Sequence, residues 1–312
     1  MRADSGHYYV DGSEALLMTN SKSDDLTVFE AHRPLLVAHA YRMLGDLGRA
    51  EDIVQDAWLR WSGRNVEAAS PRAFLVTLVT RLCFNDLDSA RSRREESRSD
   101  RLPEPIDLDQ GGIGRVEALD QVSMAFLVVL QRLTPAERAV LLLRDVFEFD
   151  YEEIAALVDK SAAACRKLLE RARRNVAEEK RLFSASQEEH RRLLGAFTQA
   201  AADGNLDALV SLLAEDAVMI TDGGTEGRRV KGIHNLPRPL EGARKIAGFV
   251  AATARSVDLD FQMRELNGQP AVVFYEGEAV FAALLLAVAD GKVHRVYFHG
   301  DTSRLRYLGN PH

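Results

Sequence analysis

Residues 134–176 read TPAERAVLLLRDVFEFDYEEIAALVDKSAAACRKLLERARRNV. Thr134, with Pro135 behind it and Glu137 three residues on, is a capping box with proline at the first helical position, a strong start signal. The helix it opens carries Ala139, Val140, Leu142, Leu143 and Val146. Asp150-Tyr151-Glu152-Glu153 repeats the capping logic ahead of Ile154, Ala155, Leu157 and Val158. A three-residue turn, Val158-Asp159-Lys160, then reaches Ser161, placed to cap the next helix. That helix puts Ala162, Cys165, Leu168, Leu169, Ala172 and Val176 on one face and Arg166, Lys167, Glu170, Arg171, Arg173 and Arg174 on the other. Two short helices joined by a three-residue turn describe a helix-turn-helix. Its second helix would lie in a DNA major groove, with its N-terminal half at the base edges. Arg166 and Lys167 are placed for base or phosphate contact, and Arg171, Arg173 and Arg174 for neutralising phosphates. Taken alone, the same pattern also describes a solvated amphipathic helix at a domain edge.

Toward the N-terminus, Glu117–Leu133 has a helical pattern that is apolar on one side. Arg101–Gly114 holds Leu102-Pro103-Glu104-Pro105, Asp107, Asp109 and Gly111-Gly112, and reads as an extended acidic linker. Ser70-Pro71 pairs an N-cap with a proline at the first helical position. It opens a long helix through Phe74, Leu75, Leu78, Val79 and Leu82 to the Arg-rich Arg91–Arg94. Leu26–Trp61 is helical around a break bracketed by Gly45 and Gly48. Residues 1–24 are polar and aperiodic and are expected to form a disordered leader.

Toward the C-terminus the character changes after Phe183. His190–Ala202 and Leu206–Leu213 read as helices, Ala217–Thr221 as a strand and Gly242–Arg255 as a helix. Asn267-Gly268 and Asp290-Gly291, each between strand-like runs, predict two tight hairpins that need positive φ. Residues 1–183 are therefore all-helical, and residues 190–305 are α+β with a curved antiparallel sheet.

The chain has 312 residues with a net charge of −7, which taken whole argues against nucleic acid. Segment counts reverse that. Ser70–Arg94 carries +3 and Ser161–Arg181 carries +4, while the rest of residues 1–183 sums to −12. Two cationic helices sit in an acidic background. The two cysteines, Cys83 and Cys165, exclude a disulfide scaffold and lack metal-site spacing. No apolar run reaches a membrane span and no signal-peptide core is present, so a cytoplasmic protein without membrane contact is expected.

Residues 45–61, GDLGRAEDIVQDAWLRW, resemble conserved region 2 of the extracytoplasmic-function (ECF) sigma factors, and Thr134–Val176 resembles their region 4. The resemblance covers roughly residues 25–180. It implies a region 2 bundle over 25–97, a linker over 98–116 and a region 4 helix-turn-helix over 117–183. It further implies that Asp52, Gln55, Asp56 and Trp58 dock on core RNA polymerase, at the clamp helices of the β′ subunit. Asn65, Arg72, Arg81 and Arg91 match the element that melts and reads the −10 promoter. Ser161, Arg166, Lys167, Arg171, Arg173 and Arg174 match the −35 reader. The implied partners are the β′ and β subunits of core polymerase and promoter DNA.

Residues 187–312 resemble the SnoaL-like, cone-shaped α+β fold of the nuclear-transport-factor-2 (NTF2) type. The whole is thus two all-α sigma domains followed by an NTF2/SnoaL-like domain. A subgroup of the family carries this extension and regulates itself through it. The subgroup's Leu-Pro-Glu-Pro linker stands here as Leu102, Pro103, Glu104 and Pro105. Its Asp-Gly-Gly-Gly-Lys motif is altered to Asp222-Gly223-Gly224-Thr225-Glu226, and its Asn-Pro-Asp-Lys-Leu tail is cut to Asn310-Pro311-His312. Leu102–Pro105 with Asp222, Gly223 and Gly224 are the expected interdomain regulatory contact. A separate anti-sigma factor is expected to be absent, its place taken by the extension.

Related folds include pocket enzymes that use an Asp or His as base. Candidates here are Asp222, His234, His294 and His299. Asp222 falls in a glycine turn, and His294 and His299 are five apart on a strand, facing opposite sides as surface residues. No catalytic pair, cofactor or metal site is expected. The alternatives are a one-component DNA-binding regulator with a ligand-sensing domain, which leaves residues 52–61 and the acidic linker unexplained, and a pocket enzyme fused to a DNA-binding adaptor.

Overall fold

The computed structural model describes residues 12–63, 69–92, 101–107, 123–183, 185–223, 229–230, 233–234, 236, 238–256 and 259–309. Seven α-helices come first: α1 (Gly12–Leu44), α2 (Leu47–Ser62), α3 (Pro71–Ser92), α4 (Met124–Arg132), α5 (Pro135–Asp145), α6 (Tyr151–Val158) and α7 (Ala162–Glu179). Each start signal in the sequence acts where it stands. Thr134 and Asp150 close capping boxes with Glu137 and Glu153, and Ser161 accepts from Ala164 N. Gly45 breaks α1 from α2 at φ +70°, a conformation that disfavours a side chain. Asp159 ends α6 in the left-handed region at φ +51°, forming the helix-turn-helix corner.

The structure corrects the expected leader: Gly12–Asp24 already belong to α1, because Glu14-Ala15-Leu16-Leu17-Met18 are good helix formers that propagate from the packed part. Val146 falls beyond α5 and is exposed rather than buried with that helix.

A short 3-10 turn, Lys180–Phe183, leads into the α+β domain. There α8 (Gln187–Ala202), α9 (Leu206–Leu212) and α10 (Ala243–Ser256) pack on a six-stranded sheet. Its strands are β1 (Leu213–Asp222), β4 (Leu240–Glu241), β5 (Asp260–Leu266), β6 (Gln269–Glu276), β7 (Ala279–Ala289) and β8 (Lys292–His299), in the order β4-β1-β8-β7-β6-β5. A separate ribbon pairs β2 (Arg229–Val230) with β3 (Ile233–His234). Both expected hairpins form, with positive φ at Asn267, Gly268, Asp290 and Gly291. The sheet is not wholly antiparallel, since β1 runs parallel to β8. That pairing links strands far apart in sequence, which turn signals do not report.

Three apolar clusters order the molecule. The first runs from Phe29 in α1 through Trp61 and Leu75 to Leu143, Cys165 and Ala172, so α1–α3 and α5–α7 share one core. The second lies between α8–α10 and one sheet face, through Phe197, Ile246, Val272 and Val296. The third covers the other sheet face, where Ala271, Val273, Leu285 and Tyr297 meet Leu102, Met124, Val128 and Leu182. The sheet is thus sandwiched between its own helices and the helical half of the chain.

Candidate functional site

In α2, Ile53, Val54, Ala57 and Trp61 are buried, leaving Asp52, Gln55, Asp56 and Leu59 exposed on the opposite side. Leu59 is 62% exposed. Trp58 differs from the other three. It is half-buried against Phe29, ring centroids 5.1 Å apart, and supports the helix from behind. The exposed stripe carries two carboxylates, Gln55 and one apolar residue, with exposed Arg60 at its edge, a surface with charge for a partner that presents basic groups.

In α7, Arg166, Lys167, Arg171, Arg173 and Arg174 are all exposed, but they are not equivalent. Arg171 Nε lies 2.9 Å from Glu137 Oε1, and Arg173 grips Asp145 through Nη2 at 2.6 Å and Nε at 3.2 Å. Burial pushes the Glu137 carboxyl up, but the Thr134 bonds and Arg171 outweigh it and hold it below the usual range. Arg166 stacks over Tyr151 at 4.8 Å, with Glu152 at 3.9 Å. Lys167 and Arg174 meet no carboxylate at ion-pair distance among the described residues. Ser161 caps the helix through its side chain. In α3, Arg72 lies over Phe147 at 5.6 Å and Arg81 is exposed. The side chain of Arg91, and all of Asn65 and Gly224, fall outside the described residues.

The densest constellation is the linker. Leu102 through Asp107 are all buried, packed within this chain. The two prolines hold Leu102 and Glu104 extended, so little backbone entropy remains to be lost on docking. Glu104 is 1% exposed, and its Oε2 accepts from Leu47 N at 2.7 Å. Leu47 is the first residue of α2, so a linker carboxylate satisfies an orphan donor at the helix N-terminus. Glu104 N donates to Gly45 O at 2.8 Å, and its carbonyl accepts from Tyr41 Oη at 2.6 Å. Burial raises the Glu104 carboxyl to about 7, opposed by the Leu47 bond and Arg304.

On the sheet side, Ile106 exchanges two bonds with Asn267, whose Nδ2 also donates to Tyr41 Oη at 2.8 Å. Asp107 pairs with Arg264 of β5, both side chains nearly buried. Leu102 N donates to Asp222 Oδ2 at 3.1 Å. Gly223 is buried beside it.

Arg304 joins these pieces. Its Nη1 donates to Leu102 O at 2.7 Å and reaches Asp222 Oδ2 at 3.3 Å, while Nη2 donates to Gly45 O at 2.9 Å. Asp46 stands 4.0 Å from its Nε. One largely covered guanidinium, its side chain 12% exposed, therefore spans the α1–α2 corner, the linker and the end of β1. Sequence reasoning missed Arg304, Tyr41 and Asn267. Asn267 was legible as a turn residue, but nothing local marks it, or an Arg in a short polar tail, as an interdomain bond.

Asp222 is not simply turn chemistry: it ends β1, 6% exposed, and its carbonyl also accepts from Gly300 and Asp301 N. His294 and His299 are both buried, correcting their expected surface placement. Both strand faces are covered here, and burial lowers His299 to about 3. His294 is lowered too, by burial first and then by Arg181, against Asp216. Among the described residues no group of His, Cys, Asp and Glu gathers as a metal site, and no helix is long and apolar enough to cross a membrane.

The two helical segments match known family models: "Sigma-70 region 2" over residues 28–93 and "Sigma-70, region 4" over residues 123–176. The chain is 37% identical over 230 residues to the ECF RNA polymerase sigma factor SigJ of Mycobacterium tuberculosis (strain ATCC 25618 / H37Rv), covering 72% of each. It is 29% identical to the ECF RNA polymerase sigma factor SigG of Mycobacterium tuberculosis (strain CDC 1551 / Oshkosh), covering 90% of this chain and 82% of that one. The crystal structure of Mycobacterium tuberculosis SigJ superposes with a TM-score of 0.68 at 29% identity, covering 90% of this chain and 98% of the other.

Proposed function

This chain belongs to the extracytoplasmic-function RNA polymerase sigma-factor family, and on that premise we propose that it is an alternative sigma factor held in check by its own C-terminal domain. It binds core RNA polymerase and directs promoter-specific initiation. Asp52, Gln55, Asp56 and Leu59 form the docking stripe for the β′ subunit. Lys167 and Arg174, with Arg166, carry the −35 contacts, whereas Arg171 and Arg173 act first as struts that fix α7 on α5. Arg72, Arg81, Arg91 and Asn65 serve the −10 element.

The observation that carries the regulatory part is the Arg304-centred latch. It ties the α1–α2 corner, the linker and β1 together through one side chain. The helical halves are also pinned to each other: Arg138 of α5 donates to Met43 O of α1, and Phe147 meets His39 edge-on at 4.9 Å. A −10 and a −35 element lie about 25 base pairs apart, or about 85 Å along B-DNA. Two modules sharing one core do not span that distance, so the latched form is an off state and transcription requires release of the linker.

This arrangement supports the C-terminal domain in the place of a separate anti-sigma factor. No catalytic role is proposed for it. A one-component regulator is not favoured, because it leaves the exposed α2 stripe without a purpose.

Run-off transcription with purified core polymerase tests the reading. Full-length protein is expected to give weak promoter-specific transcript, and Arg304→Met in the full chain to raise it. Absence of any core complex would sink the sigma-factor mechanism. Equal transcript from both forms would sink the latch.

A further inference from the structure

The C-terminal tail and the docking stripe occupy the same side of the same helix. At 100° per residue, Gly48, Glu51, Asp52, Gln55, Asp56 and Leu59 fall within one half of the α2 circumference. The tail covers the N-terminal end of that half. Tyr307 Oη donates to Glu51 Oε2 at 3.1 Å and packs against the helical core. Arg306 lies so close over Gly48 that a Cβ there would collide with its guanidinium. Gly48 is accordingly buried, while Asp52, Gln55, Asp56 and Leu59, from four residues further on, are exposed. Glu51 and Gln55 are neighbours one turn apart, about 5–6 Å between Cβ atoms.

The same tail carries the latch. Arg304 is three residues before Tyr307, and Leu305 and Leu308 anchor the intervening turn in the core between sheet and linker. Whatever lifts Tyr307 from α2 pulls on Arg304, and with it on the bonds to Gly45 O and Leu102 O.

We infer that the tail is a displaceable cover, and that a helix of core polymerase laid along the α2 stripe evicts it at Glu51 and so releases the Arg304 latch. This rests on the stripe being the polymerase-docking surface. Polymerase would then open its own sigma factor: it lands first on the exposed acidic end, and competition at the covered end is transmitted to the linker. The two events are coupled because one helix face serves both. The energy for opening comes from differential binding, since polymerase gains contacts at Glu51 and Gly48 only when the tail has left. By reciprocity, weakening the tail must tighten polymerase binding.

The test uses the full-length chain with bacterial core RNA polymerase, without DNA. Hydrogen exchange by mass spectrometry is expected to show residues 45–47 and 102–106 losing protection when core is added. In a binding titration, Tyr307→Phe, which keeps the ring but deletes the hydroxyl's bonds to Glu51 and to its tail neighbour Arg306, is expected to tighten core affinity about threefold to tenfold. A core complex in which residues 102–106 stay protected, or an unchanged affinity for Tyr307→Phe, overturns the inference and leaves the docking reading standing. No complex at all overturns both. Asp52→Lys separates the two, because it should abolish binding with the tail present or weakened.

Discussion

Glu104 concentrates the chemistry of the latch at the scale of one residue. Its carboxyl, ordinarily at 4.5, stands at about 7 in the latched form because it is buried. The groups facing it are Asp46, Arg304, Arg306, Tyr41 and the Leu47 N–H. The latched form therefore binds a proton that the released linker gives up between those two values. Acidification from about pH 7 toward 4.5 strengthens the latch, and raising the pH through 7 withdraws that contribution. The radius of gyration of the full chain, measured by small-angle scattering across this range, should fall on acidification. Glu104→Gln should flatten the response, and a variant that still responds would move the proton elsewhere. Asn267 offers a cleaner dissection. Asn267→Gly keeps the positive φ that its hairpin needs but deletes the bonds to Ile106 N and Tyr41 Oη. The hairpin should persist while amide protection of residues 102–106 falls by about 1–2 kcal/mol. Both residues could be read from sequence in part. The Asn-Gly pair announced a turn and the Leu-Pro-Glu-Pro run an extended linker. Which donors they satisfy depends on groups more than fifty residues away.

At the scale of elements, α7 shows why a basic face is not a uniform DNA-binding face. Arg171 and Arg173 are held by Glu137 and Asp145, whereas Lys167 and Arg174 point to solvent without such partners among the described residues. Lys167→Ala is expected to weaken promoter binding of the holoenzyme, and to lower its salt slope by about one if the contact is a phosphate. Arg171→Ala should instead show mainly in thermal stability, by about 1 kcal/mol, because the arginine is solvent-exposed while its partner Glu137 is buried and keeps the Thr134 bonds. If Arg171→Ala altered base preference while stability stayed constant, the strut assignment would be wrong. The α2 stripe makes the converse case. Asp52→Lys with Asp56→Lys changes exposed side chains, so stability should move by no more than about 0.5 kcal/mol per site while co-purification with core polymerase is lost. Retained co-purification would remove those two residues from the docking surface. The caps at Ser70, Thr134, Asp150 and Ser161 and the helix-turn-helix corner were legible, since each is set by side chains within four residues of the backbone group that they satisfy, whereas the start of α1 and the end of α5 were not.

For the whole molecule, the sheet is the organising body. One face carries its own helices, and the other holds α4, the linker and the tail against the helical half. With a net charge of −7 and its two cationic helices folded into a common body, the isolated chain should bind promoter DNA weakly and without sequence preference at physiological salt. Tight specific binding by the chain alone would contradict the off-state reading. Sequence by itself determined the division into a helical half and an α+β half, the helix starts that carry a cap or capping box, both hairpin turns and the two cationic helices. These rest on periodicity, capping and turn chemistry, which act over a few residues. Tertiary structure alone decided that the acidic linker is buried, that β1 runs parallel to β8, and that Arg304 reaches Gly45 across 259 positions of chain. Those contacts form only when remote segments are brought together. Their partners are chosen by which buried donors and acceptors lose water in the packed state, and no local pattern encodes that choice.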